Sequence, residues 1–139
     1  MTLHLMKLCV GVDTVEQLER SQARRLRRGA RLFHDTRMMP KRAEEVVDGG
    51  SLYWIIKGRF QVRQAITRIS PETDSEGRGF ARLHLDGALV RVLPRAQRPF
   101  QGWRYLEAAK APQDLASGGA ENGDLPPDMQ AELRALGIL

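Results

Sequence analysis

Cations cluster in three stretches of this 139-residue sequence, RMMPKR at 37–42, YWIIKGRFQVRQ at 53–64 and RPFQGWRYLE at 98–107, and the last two also carry aromatic rings. An arginine guanidinium binds a phosphate through two parallel hydrogen bonds, and a flat ring stacks on an unpaired base. The three stretches therefore predict contacts with a nucleic acid. The elements that carry them decide which side chains face outward.

The first stretch predicts a phosphate site at the start of a helix. Pro40 stiffens the turn, and the following KRAEEVVD has the pattern of a short helix that ends at Gly49 and Gly50. Backbone N–H groups at a helix start attract an anion. The cations expected to reinforce this site are Arg37, Lys41 and Arg42.

The second stretch has the composition of a strand, with Gly58 marking a bend or bulge. Because strand side chains alternate, one of Tyr53 and Trp54 points into the core and the other points outward. Trp54 is a candidate to stack on an unpaired base, and the alternative is that it anchors the core. The cations of this stretch are Lys57, Arg59 and Arg63.

In the third stretch, alternation places Trp103 and Tyr105 on one face of a strand. We expect Trp103 to pack in the core. The preceding loop has no packing reason to carry cations and a ring together, so it is expected to contact a ligand. The expected contact residues are Arg98, Gln101 and Arg104.

Residues 14–28 are predicted to form a helix, because Thr14 and Gln17 have the spacing of a capping box and Gly29 follows. Its apolar side would consist of Val15, Leu18 and Leu26. Its opposite side carries Arg20, Arg24, Arg27, Arg28 and Arg31. This stripe is either a solvated face or a phosphate-binding surface, and the mutual repulsion of its charges favours a bound anion.

The charge of the sequence is unevenly distributed. Residues 1–110 hold 21 Lys and Arg against 12 Asp and Glu, a net charge of +9, whereas residues 111–139 have a net charge of −4. Eighteen of the 22 cations are arginine, whose planar fork suits phosphate. The composition predicts a phosphate-rich partner for the body of the chain.

The order of elements predicts an α+β fold. A first strand and a helix precede an irregular segment and a short helix, and about five β segments follow, with the alternating FARLHLD at 80–86 among them. We expect a small mixed or antiparallel β-barrel flanked by two to three helices. Residues 1–110 would form one domain, and 111–139 an acidic Gly- and Pro-rich linker with a short C-terminal helix over 128–139.

Signals for catalysis are weak. The histidines lie far apart, and the single cysteine, Cys9, is expected to be a core residue, so the sequence predicts no catalytic residue, metal site or cofactor. No apolar run is long enough to cross a bilayer, which leads us to expect a cytoplasmic protein without a membrane partner.

The segments RMMPKR, GGSLYWIIKG, QVRQ and RPFQGWRYL resemble an uncharacterised family of short alphaproteobacterial proteins, a domain of unknown function covering about residues 1–110. The resemblance implies no known activity. The layout of AEEVVDGG before SLYWIIKG is also similar to that of PUA-like proteins, including the ASCH branch, whose small barrels bind RNA or modified bases. The ASCH motif GxKxxExR is not present, because Gly58 stands in place of its lysine and Gln61 in place of its glutamate.

The leading hypothesis is a non-catalytic RNA-binding module. Phosphates would contact the arginine stripe and the 37–42 turn, and an unpaired or modified base would lie near Trp54, Arg63 and Arg104. One alternative is a small enzyme acting on a phosphorylated or nucleotide-like substrate, with Lys57 or Glu45 in acid–base roles. A second alternative is a protein-interaction adaptor that binds a partner through residues 128–139.

Overall fold

The computed structural model describes residues 2–115. Their elements are β1 (Leu3–Leu8), α1 (Val15–Arg27), β2 (Phe33–Thr36), α2 (Ala43–Val47), β3 (Ser51–Ile56), β4 (Arg59–Thr73), β5 (Gly79–Ala96), β6 (Trp103–Glu107) and a short 3-10 helix (Ala108–Lys110).

The six strands form one mixed sheet in the order β2-β5-β4-β3-β1-β6. β1 and β3 are parallel, and every other neighbouring pair is antiparallel. The predicted α+β class is confirmed. The predicted closure into a barrel is not confirmed, because β2 and β6 end the sheet without pairing to each other.

The first helix begins and ends where the sequence predicts. The Thr14 hydroxyl accepts a hydrogen bond from the Gln17 N–H (3.2 Å), and the Gln17 side chain accepts one from the Asp13 N–H (2.7 Å). Beyond the helix, Gly29 has a φ of 79°, a conformation that other residues rarely adopt. These contacts satisfy backbone N–H groups that the first turn leaves unpaired.

The buried side of α1 differs from the expected one. Val15 and Leu18 are buried as predicted, but Leu26 is 47% exposed and Gln22 is buried instead. Leu26 comes after the last buried position of the helix and lies beside Gly87 of β5. The buried contacts of the helix with the sheet therefore come from its first two turns.

β4 and β5 pair as an antiparallel hairpin, and Ala81, Leu83 and Leu85 share the buried side of β5, as the alternation at 80–86 predicts. The following ALVRVLP continues the same strand, so that β5 runs without a break to Ala96. The segment before α2, expected to be irregular, contains β2, which pairs with β5. Irregularities of register within the hairpin let both long strands bend.

The reversal between β3 and β4 is tighter than the expected bend. Lys57 and Gly58 have φ angles of 53° and 76°, and the residues on either side of them, Ile56 and Arg59, are paired. Two central residues with positive φ form the two-residue hairpin turn that matches the twist of the flanking strands.

The sheet buries apolar side chains on both faces. One face, which we call the helix face, packs Leu5, Leu52, Trp54, Val62 and Leu83 with Val15 and Leu18 of α1. The other face, which we call the tail face, packs Tyr53, Ile55, Phe60, Val92 and Leu106.

Residues just past the predicted domain end also lie on the body. The Leu93 N–H donates to the Gln113 carbonyl (2.8 Å) and the Leu115 N–H to the Arg91 carbonyl (3.0 Å), while Asp114 forms a bridge with Val92. The ordered body therefore continues at least to residue 115. The helix predicted over 128–139 lies outside the described residues.

A buried amide network joins α1 to the sheet. Gln64 is 0% exposed, and its side-chain nitrogen donates to the Gln22 side-chain oxygen and to the Asp86 carbonyl, both at 2.7 Å. Its oxygen accepts from Gln22 (3.0 Å) and from the Trp54 indole N–H (3.2 Å). Because every polar atom of this pair is satisfied, its burial carries no unpaired hydrogen-bonding group.

Replacing Gln64 with leucine should destabilise the protein by about 2–4 kcal/mol, because the Trp54 N–H, Gln22 and the Asp86 carbonyl lose their partner in a dry environment. Urea denaturation measures the change. Gln101→Leu, on an exposed loop, should change stability by less than about 0.5 kcal/mol. Equal effects of the two substitutions would contradict the structural role of the network.

Candidate nucleic-acid interface

The arginines in the second half of α1 form an exposed cationic surface without carboxylate partners in the described chain. Every residue from 23 to 31 is exposed. The predicted stripe consists of Arg20, Arg24, Arg27, Arg28 and Arg31. Within residues 2–115, none of these five forms an ion pair with a carboxylate. The acids of the helix, Glu16 and Glu19, lie in its first turns, where both bind Arg91 at 3.0 Å.

The location of these arginines is partly explained by helix electrostatics. Arg24, Arg25 and Arg27 lie in the last turn, where the negative end of the helix dipole favours cations. The helix dipole favours cations within the last turn only. It does not explain why this half of the helix carries no acidic side chain. The remaining repulsion gives this half of the helix a reason to bind an anion.

A groove of about 370 Å³ lies where α1 ends against β4 and β5. Arg31 and Arg68 line it with His84, and Leu26 and Leu85 contribute apolar surface. Its dimensions are at the lower end of those of small-molecule sites. The groove therefore offers cations for a phosphate and apolar surface for a ring.

The surroundings of the groove shift the pKa of His84. Burial lowers the pKa of His84, and the charges of Arg68 and Arg82 lower it further, with a smaller effect from Arg31. The Glu72 carboxylate opposes them. His84 is consequently neutral at neutral pH, and one of its nitrogens is hydrogen-bonded to the Ser70 hydroxyl at 2.8 Å.

An exposed aromatic ring borders the same surface. Phe33 of β2 is 37% exposed, and the guanidinium of Arg82 lies 4.1 Å from its ring centre. Arg82 also binds Asp35 through two hydrogen bonds of 2.9 and 3.2 Å. A guanidinium held over a ring by an ion pair can itself offer a surface on which a base stacks.

The predicted phosphate site at the 37–42 turn has internal partners instead. Arg37 lies 3.5 Å from Asp74, and Arg42 makes two hydrogen bonds to Glu45, at 2.6 and 2.8 Å. The Arg42 N–H donates to the Tyr105 hydroxyl (3.0 Å), so a protein oxygen occupies the position that a phosphate oxygen would take. Lys41 is exposed.

The turn is also attached to the sheet through the third stretch. The Trp103 indole N–H donates to the Met38 carbonyl at 2.7 Å, so Trp103 packs as expected. Arg98 and Gln101 are exposed, and Arg104 lies 4.6 Å from the Phe100 ring centre. Arg104 lies on the tail face of β6, the side of Leu106.

The structure does not bring together Trp54, Arg63 and Arg104, which were expected around one base. Trp54 is 4% exposed on the helix face, where its ring meets the edge of His34 at 5.1 Å. Arg63 points to the tail face and binds Asp114. Trp54 is therefore a core residue and not a stacking platform.

The other residues of the second stretch lie at its hairpin. Lys57 is 3.3 Å from Asp13 at an exposed position, and Arg59 is half-buried at the start of β4. Lys57 and Glu45, the acid–base candidates of the enzyme hypothesis, each have a cation–carboxylate partner at the surface.

Three groups of the groove and its border were not among the predicted residues: Arg68, His84 and the pair of Phe33 with Arg82. Strand alternation already places His84 and Arg82 on the outer side of β5. Nothing local indicates that β2 pairs beside them, because that contact joins segments almost 50 residues apart.

Within residues 2–115 no cluster of His, Cys, Asp and Glu has the arrangement of a metal site, and no helix is long and apolar enough to span a membrane. Burial raises the pKa of the Cys9 thiol to about 11, despite the opposing charge of Lys7. Cys9 is thus a protonated thiol packed against the helix-face core.

Comparison with known families identifies a family to which most of the chain matches. The family described as "Protein of unknown function (DUF1489)" matches residues 5–139. The chain belongs to this family. Neither curated proteins nor solved structures gave a match to the DUF1489 chain. The match includes the tail as well as the body, so the family is defined by more than the 1–110 segment of the sequence-based resemblance.

One histidine of this DUF1489 protein has an unsatisfied atom. His34 Nε2 is buried without a hydrogen-bond partner in the described part of the chain. Burial lowers the pKa of His34 to about 4, assisted by the charges of Lys7 and Arg25 and opposed by Asp35. An unfolded histidine has a pKa of about 6.5.

Between these two pKa values the unfolded chain binds a proton that the folded chain does not, so the free energy of unfolding should fall as the pH decreases from 6.5 to 4. His34→Phe keeps a ring against Trp54 but cannot titrate. Urea denaturation at about pH 7 and about pH 5 should therefore show a smaller acid-induced loss for this variant. His84→Phe, which removes a histidine with a smaller shift, is the control and should flatten the profile less.

Proposed function

We propose that this protein is a non-catalytic RNA-binding module whose phosphate contacts come from the helix arginines. The observation that carries the proposal is the exposed second half of α1, which presents only cations as charged groups and has no carboxylate partner within residues 2–115. Arginines elsewhere on the body mostly bind a carboxylate, and the helix arginines are therefore free to bind phosphates.

The dimensions of the helix suit a polyanion. At about 1.5 Å per residue, the distance along α1 from Arg20 to Arg28 is about 12 Å, which exceeds the spacing of neighbouring phosphates in one strand. Several arginines can therefore contact successive phosphates at once. Each contact releases counterions, which makes binding depend steeply on salt.

The groove beside Arg31 supports a single-stranded ligand. Its volume of about 370 Å³ is suitable for one unpaired nucleotide, with Arg31 and Arg68 near the phosphate and the apolar floor beneath the ring. A duplex keeps its bases stacked inside and has no ring to place there. The preferred partner is thus RNA with an unpaired segment.

The assignment to a PUA-like barrel and the cytoplasmic location stay predictions. An enzyme acting on nucleotides and an adaptor binding through residues 128–139 are the alternatives. Lys57 and Glu45 are each paired with an opposite charge at an exposed position, which favours the binding module over the enzyme.

Arg24→Ala with Arg28→Ala should weaken the binding of a labelled single-stranded RNA and reduce the slope of log affinity against log salt by about 1.4, since each lost phosphate contact accounts for about 0.7. Fluorescence anisotropy across a salt series measures both quantities. Arg68→Ala should weaken binding to single strands more than binding to a matched duplex.

The control is Arg78→Ala with Lys110→Ala, which removes the same charge from other surfaces and should leave the slope nearly unchanged. An equal loss of affinity in both double variants would show that net charge alone attracts RNA. Tighter binding to single-stranded DNA than to RNA would show that RNA is not the preferred nucleic acid. Absence of binding at low salt would contradict the proposal.

A further inference from the structure

A second cavity lies on the tail face of the sheet. It has a volume of about 750 Å³ and is lined by His4, Tyr53, Arg63 and Asp114 together with apolar residues of the segment 108–112. Arg63 and Gln64 are neighbours on β4 and therefore point to opposite faces, so this cavity is separated from the helix arginines by the sheet. The RNA proposal makes no use of it.

The charged groups of the cavity cancel each other. Arg63 donates from Nε and Nη2 to the two oxygens of Asp114, both at 2.7 Å, and from Nη1 to the Ser51 hydroxyl at 3.0 Å. The two ionised side chains are only 26% and 21% exposed. Two N–H groups of the guanidinium and further lone pairs of the carboxylate remain available to a ligand.

His4 has one fixed tautomer. Its Nδ1 accepts a hydrogen bond from the backbone N–H of Ser51 at 2.9 Å, so Nδ1 carries no proton. Burial, and secondly the charge of Arg63, lowers the pKa of His4, which keeps the ring neutral at neutral pH. A neutral imidazole with an accepting Nδ1 has its proton on Nε2, and His4 therefore donates from that nitrogen.

The Tyr53 hydroxyl is a further hydrogen-bonding group of this cavity. The Tyr53 ring packs edge to face against His4, with centroids 4.9 Å apart, and Tyr53 lines the cavity. Burial raises the pKa of Tyr53, so the hydroxyl keeps its proton. The cavity thus has no net charge and presents three kinds of donor beside one carboxylate acceptor.

This arrangement selects against charged ligands. A bound anion would meet the Asp114 carboxylate, and a bound cation would meet Arg63, so either would lie next to a like charge in a partly desolvated site. An uncharged ligand with an N–H next to a C=O matches the site, because the N–H can donate to Asp114 while the C=O accepts from Arg63, His4 or Tyr53.

We propose that the His4–Tyr53–Arg63–Asp114 cavity binds an uncharged nucleoside through the amide edge of its base, a ring N–H beside a carbonyl, as in uridine. The cavity volume accommodates a base with its sugar. This site is independent of the RNA proposal, and either of the two can fail alone.

The test is a calorimetric titration of the full chain with uridine and with N3-methyluridine, in which the donating N–H is blocked. Uridine should bind saturably and N3-methyluridine at least about tenfold more weakly, as expected when a buried acceptor loses its donor. The ¹H–¹⁵N signal of His4 Nε2 should move on addition of uridine. Salt should affect this binding little, in contrast to RNA binding.

Tyr53→Phe should weaken uridine binding about fivefold through the loss of one hydrogen bond. Asp114→Asn should abolish the preference for uridine over its methylated form and, by leaving the Arg63 charge uncompensated, create binding of inorganic phosphate. Arg68→Ala, at the groove beside the end of α1 and outside the lining of this cavity, is the matched control and should leave uridine binding unchanged. Thermal melting of each variant identifies any that fails to fold.

Three results would overturn the proposal: equal binding of uridine and N3-methyluridine, binding of phosphate or acetate but not uridine by the unsubstituted protein, or no saturable uridine binding up to its solubility. Because Arg24→Ala with Arg28→Ala leaves the tail face unchanged, this variant should bind uridine like the unsubstituted protein. A loss of RNA binding in that variant thus remains distinguishable from a failure of the nucleoside site.

Discussion

The hydrogen-bonded pair of Gln22 and Gln64 determines how α1 meets the sheet. Two fully paired amides can be buried without leaving a polar atom unsatisfied, and their geometry fixes the helix against β4 more specifically than apolar contacts would. Gln22 is also the last buried residue of the helix, and every helix residue after it is exposed. The exposed arginines are a direct result of this attachment point.

The two faces of the sheet have different electrostatic character because their cations have different partners. On the helix face, the acids Glu16 and Glu19 bind Arg91 and are thereby kept away from the arginines further along the helix. On the tail face, Arg63 and Asp114 neutralise each other in a partly buried position. Long-range attraction of anions thus belongs to one side of the molecule and short-range hydrogen bonding to the other.

Features that depend on neighbouring residues could be predicted from the sequence, including the cap at Thr14 and the buried alternation of β5. Features that depend on distant residues could not. A glutamine on the apolar side of a helix gives no local sign that its partner lies 42 residues away, and the acid that binds Arg63 lies 51 residues further along the chain. The orientation of Trp54 likewise required the register of β3 against β4.

The position of β1 in the sheet has a consequence for synthesis of the chain. β1 lies between β3 and β6, and its pairing partner Trp103–Glu107 follows it by about 100 residues. Pairings between such distant segments slow folding, and a chain emerging from the ribosome has to hold one edge of β1 open until β6 has been made. The unpaired edge of β1 is therefore the surface through which newly made chains would first aggregate, and the one that a chaperone would have to cover.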